Sequence, residues 1–143
     1  MNNKLFMMKV INKYGRDRDT FYNLFKKDGN TPKHSGLVFC PFHDNFKTPA
    51  AKFYKDEDAE KLWCFSENKM YSLSDYIEKI LGADLNYTFS QIWESLSDSE
   101  KEEYTNLFGN FEYNVKVEDL DLYSSFRSGN LTFSQLLEEI TKR

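Results

Sequence analysis

The sequence predicts an α+β fold: a small antiparallel sheet flanked by helices, with a helical C-terminal appendage. Three observations carry this. Short runs rich in β-branched and aromatic residues, LVFCPF (37–42), AAKFYK (50–55) and KLWCF (61–65), lie in the middle of the chain. A helical pattern precedes them, and after Phe65 the apolar period lengthens to that of a helix.

Taken in order, residues 3–14 carry Leu5, Phe6, Met8, Val10 and Ile11 in no clean period, which leaves helix and strand both open. DRDTFYNLFKK (17–27) predicts a helix, with Phe21, Leu24 and Phe25 on one face, acids leading and lysines trailing. DGNTPKHSG (28–36) is dense in turn residues and reads as a loop, and KDEDAE as a charged hairpin connection between the second and third strands. SLSDYIEKILG places Leu73, Tyr76, Ile77, Ile80 and Leu81 on one stripe; Ser72 and Asp75 are spaced to cap it, and Gly82 to end it. Thr88 with Gln91, and Ser97 with Glu100, are spaced as capping boxes for two further helices. Residues 109–121 show no clear period, compatible with a strand or a linker, and a last helix starts near Thr132. YTFSQIWESL and LTFSQLLEEI look alike over ten residues only, which reads as two uses of one good helix start.

The 143 residues suffice for one ordinary domain or a small domain plus an appendage. The division expected is 1–97 for the sheet-containing domain and 98–143 for an acidic helical extension. The net charge of −4 conceals an asymmetry. Residues 1–55 hold eleven Lys/Arg against four Asp/Glu, and residues 56–143 eight against nineteen. A basic half and an acidic half suggest two different partners, or one half screening the other. The opening MNNKLFMMKVINKYG is too short and too lysine-rich in its apolar run to span a bilayer or act as an export signal. Two cysteines without such a signal fit a reducing cytoplasmic setting.

Cys40-Pro41-Phe42-His43 is a tight knuckle that can aim a thiolate and an imidazole at one ion. Cys64 lies on a strand expected nearby, and these three donors suit zinc. The fourth position, three residues after Cys64, is Glu67. Three outcomes stay open: Glu67 ligates through oxygen, His34 swings in from the preceding loop, or the site is empty and Cys40, His43 and Cys64 pack in a small core. On the same strands, Lys47, Lys52, Tyr54 and Lys55, with Trp63 on a neighbour, interleave cations and rings, the means by which single-stranded nucleic acid is gripped. The competing reading is a half-buried strand in which Phe53 points inward and Lys52 and Tyr54 point to solvent.

GLVFCPFHDNFKTP, LWCFSEN, SDYIEKI and YTFSQIWESL, in this order, resemble the zinc-binding domain of bacterial and phage DnaG-type DNA primases over about residues 17–97. The family pattern is Cys-Pro-Phe-His, a Thr-Pro-Ser-Phe strand, Cys-Phe-x-Cys with glycines, and two helices. This chain departs from it. One residue is inserted before Thr48-Pro49, Ala50-Ala51 replaces Ser-Phe, Glu67 stands for the last Cys, and the glycines around it are missing. The resemblance implies a zinc-ribbon-like sheet, zinc at Cys40, His43, Cys64 and Glu67, and contact with single-stranded template DNA. It also implies a replication protein as partner, such as a polymerase/primase or helicase subunit. The Glu-Gly and paired-Asp motifs of that family's catalytic domain are absent, so no catalytic residue is expected and the role is that of an accessory module. The alternative is a metal-free, degenerate homologue whose acidic half docks on a replication protein or inhibits it.

Overall fold

A computed structural model describes residues 3–27, 37–42, 49–109 and 120–141. Its architecture is α+β, as the sequence predicts, with a three-stranded antiparallel meander and seven helices among the described residues.

Helix α1 (Asn3–Arg16) resolves the question left open at the N-terminus. Phe6, Met7, Val10, Ile11 and Tyr14 form its buried stripe. Leu5 is exposed and Met8 only partly buried, and these two apolar residues off the stripe blur its period in the sequence. Helix α2 (Thr20–Lys27) follows a bend at Asp19, whose φ of 51° suits Asp better than most side chains. Phe21, Leu24 and Phe25 are buried. The helix start is capped from a distance: the Phe21 and Tyr22 amides donate to the two Glu60 carboxylate oxygens at 3.0 and 3.2 Å.

Strands β1 (Ala51–Lys55), β2 (Glu60–Cys64) and β3 (Lys69–Ser72) pair in sequence order. The β1–β2 connection closes on Asp56, whose side chain accepts from the Asp58 and Ala59 amides. The strand expected over 37–42 reduces to one bridge, Val38 with Ala51, because the chain turns at Pro41, which has no amide to donate. In its place the sheet gains β3, too short to stand out in the sequence from the helix that follows.

Helix α3 (Leu73–Lys79) begins as predicted: the Ser72 amide donates to Asp75 at 2.9 Å, while Asn12 of α1 accepts from the Ser74 amide at 2.8 Å. Helix α4 (Leu85–Ser95) begins before Thr88, with Asp84 as its cap, and the Thr88–Gln91 box does not form. Thr88 and Gln91 are buried instead, and the Thr88 hydroxyl donates to the Asp84 carbonyl. Helix α5 (Asp98–Phe108) uses its predicted Ser97–Glu100 box, and α7 (Phe133–Thr141) opens on a reciprocal Thr132–Gln135 box. The two look-alike segments therefore start their helices by different means. Helix α6 (Leu120–Arg127) lies between α5 and α7 in the chain.

One apolar core joins α1, α2, the inner sheet face, α3 and α4 with Tyr104 of α5, Leu122 and Phe126 of α6, and Phe133, Leu136, Leu137 and Ile140 of α7. The described part of 98–143 thus packs on the same core as the sheet. Gly15 lets α1 approach closely: a Cβ there would lie 2.2 Å from a Leu73 methyl. No helix among the described residues is long and apolar enough to cross a membrane.

Candidate metal centre

The inner face of the sheet is apolar where it meets the helices, through Ala51, Phe53 and Leu62. Phe53 packs edge-on against Phe21 and Phe25, with ring centroids 5.1 and 4.6 Å apart. Toward the end of β2 the same face becomes polar. Cys64 is the last residue of β2, opposite Ala51 on one side and Lys69 on the other. Cys40 arrives beside it because Val38, two residues earlier, is tied to Ala51 by amide–carbonyl bonds of 2.8 and 3.1 Å. The turn from β2 to β3 brings back Glu67. Asn68, at φ 55°, takes the left-handed conformation that glycine adopts most easily, so the turn forms here without a glycine.

The Cys40 and Cys64 sulfurs and a Glu67 carboxylate oxygen all lie within 4.8 Å of one another, a group that can hold a metal ion. The Cys40 thiol is 3.9 Å from Glu67 Oε1. Tetrahedral zinc places two sulfurs about 3.8 Å apart and a sulfur and an oxygen about 3.6 Å apart, so the donors need move only slightly to close on one ion. Both thiols are buried, while Glu67 reaches the surface. Burial pushes the Cys40 thiol up to about 12, with the backbone amide of Phe42 opposing and the neighbouring Cys64 and Glu67 adding to the rise. Such a thiol stays protonated unless a cation displaces the proton, as a bound metal does.

Tyr71 completes this corner. Its hydroxyl donates to the two Glu67 oxygens at 3.1 and 3.0 Å, and its ring stacks on Phe42 at 3.8 Å with an interplanar angle of 3°. Burial first, and then the Glu67 carboxylate, push its hydroxyl up to about 12. Sequence reasoning missed Tyr71 because it missed β3. Of the predicted ligands, the structure brings together Cys40, Cys64 and Glu67; His43 and the alternative His34 lie outside the described residues.

The other predicted site residues divide. Lys52, Tyr54 and Trp63 share the outward face of the sheet, where Lys52 faces Trp63 and Trp63 faces Met70 in register. Tyr54, Phe65 and Met70 are exposed, by 46, 52 and 43 %, and Trp63 meets Phe65 edge-on at 6.4 Å. Lys61 extends this face beside Tyr54 and pairs with Asp56 at 2.6 Å. Phe65 and Met70 join the surface unforeseen; the alternation Lys61, Trp63, Phe65 was the available signal for the first. Lys55 stands apart from this face: it pairs with Asp19 at the bend before α2. Lys47 lies outside the described residues. Comparison of the chain with protein-family models, with curated proteins and with solved structures finds no match.

Proposed function

We propose that this protein is a non-catalytic accessory module of DNA replication, related in design to the zinc-binding domain of DNA primases, that holds zinc and contacts single-stranded DNA. The observation that carries this reading is the outward sheet face, where Lys52, Tyr54, Trp63, Phe65 and Met70 lie together above the Cys40–Cys64–Glu67 group. Rings on a sheet stack on bases of any sequence, and lysines beside them follow the phosphates. Cys40, Cys64 and Glu67 would hold the ion, with His43 as fourth donor by the resemblance. The ion would cross-link the Cys40 turn to the β2–β3 turn and so fix the edge of that face.

The test is binding of a dye-labelled oligothymidylate, followed by fluorescence anisotropy over a range of salt. Binding should weaken with salt by a slope of about −0.7 per phosphate neutralised. Trp63→Ala should cost about 1–3 kcal/mol, or roughly 5- to 150-fold in Kd. Absence of binding at low salt by the folded, zinc-supplied protein would sink the DNA reading.

A second reading, a protein-docking module or inhibitor, is favoured by α5. Its outer surface carries exposed Glu102 and Glu103 beside Leu107, which is 51 % exposed. That reading expects no DNA binding and a complex with a basic replication protein, lost on Leu107→Lys.

A further inference from the structure

We propose that Tyr71 is a positioning residue for the metal site, holding the Glu67 carboxylate in place beside the two thiols. This inference rests on the metal reading above and adds a residue that neither the motif nor the resemblance supplies.

Cys40 and Cys64 are short, buried side chains, whereas Glu67 is long, lies on an exposed turn, and must give up several rotors to ligate. An unassisted carboxylate would be a poor substitute for a thiolate. Here it is not unassisted. The Tyr71 hydroxyl donates to both carboxylate oxygens, at 3.1 and 3.0 Å. Its own position is fixed twice over. Tyr71 sits in β3, in register with Leu62, and its ring, 4 % exposed, stacks on Phe42. Phe42 in turn belongs to the turn that carries Cys40. The contacts therefore form a closed circuit, from Cys40 through Phe42, Tyr71 and Glu67 back to the Cys40 sulfur at 3.9 Å.

Ligating carboxylates are commonly held by a hydrogen bond of this kind, and removing such a partner typically weakens metal binding 10- to 100-fold. On metal binding the shared hydroxyl would settle on one oxygen and steer the other to ligate singly. The donors among the described residues are then two sulfurs and one oxygen, which with His43 as the fourth would suit zinc or cobalt(II) as its spectroscopic substitute.

The experiment is a zinc titration against a chromophoric chelator with four proteins: the unmodified chain, Tyr71→Phe, Glu67→Cys, and the two changes combined. Tyr71→Phe keeps the ring and its stack. It should weaken zinc binding about 10- to 100-fold while the metal-free protein melts as before and the cobalt form keeps its two-thiolate charge-transfer band. In the Glu67→Cys background there is no carboxylate to hold, so adding Tyr71→Phe should change affinity by less than about 3-fold, well below the effect of a lost ligand-orienting contact. An unchanged affinity in Tyr71→Phe alone would overturn the proposal while leaving the metal site standing, as would an equal loss in both backgrounds. An unmodified protein that takes up no zinc would overturn the metal reading, and this proposal with it.

Discussion

Around α1 the protein is closed by rings and aliphatic chains. Phe6 meets Phe89 and Trp93 edge-on, and Tyr14 meets Phe133 in the same way, with centroids 5.0 Å apart. At the open end of the sheet the inner face offers two thiols, a carboxylate and a phenol hydroxyl instead. The first region is stabilised by burial alone and needs no ligand. The second also buries Cys40, Cys64 and Tyr71, but it brings polar groups together at a cost that a bound cation would offset. This difference suggests a division of labour in which the helical body keeps the fold and the sheet end responds to metal.

The largest expected effect tests the body. Phe89 is fully buried between Phe6 and Trp93, so Phe89→Ala should lose about 3–5 kcal/mol in denaturant unfolding. The loss should be the same with and without chelator, whereas Cys64→Ser should lose its stability mainly in the presence of zinc. A chelator-dependent loss for Phe89→Ala would break the division.

Glu60 comes next, because it joins the sheet to α2. Glu60→Ala leaves two helix-start amides without their acceptor and should cost about 2 kcal/mol. Burial holds its carboxyl above the usual range, against the pull of the Phe21 and Tyr22 amides. The neutral form is therefore favoured in the folded state. Its contribution is fully present below the ordinary value of 4.5 and is lost as pH rises through the higher folded value. Glu60→Gln, which stays neutral, should flatten this decline when unfolding is followed across the acid range.

A smaller change should run the other way. Among the described residues neither amide atom of Gln91 has a hydrogen-bond partner, although the side chain is fully buried in α4. Gln91→Leu removes that penalty and should stabilise by about 1–2 kcal/mol, seen as a higher melting temperature. The least effect is expected at the exposed Lys4–Glu78 pair, where Lys4→Ala should change stability by less than about 0.5 kcal/mol.

The two regions also differ in how far the sequence reveals them. Spacing offered Cys40, Cys64 and Glu67 as one of three open outcomes, and a strand and two tight turns bring these three residues together. Tyr71 does not, since its four-residue strand runs directly into α3 and borrows that helix's period. The Ser97 and Thr132 caps are legible, but the same letters at Thr88 mislead, because Asp84 starts that helix a turn earlier and the tertiary core claims Thr88 and Gln91. Capping residues state where a helix can begin, and packing decides where it does. The outward rings Tyr54 and Trp63 were legible on β1 and β2, whereas the outward Met70 on β3 was not, for the same reason as Tyr71.

Metal content of the purified protein, measured by mass spectrometry beside a Cys40→Ser control, bears most directly on the account. It predicts about one zinc per chain, the stoichiometry of a single four-donor site, lost in the control. A folded, unmodified protein free of zinc after purification with zinc present would contradict it, leaving Cys40, Cys64 and Glu67 as a packed polar corner and moving the weight to partner docking through α5.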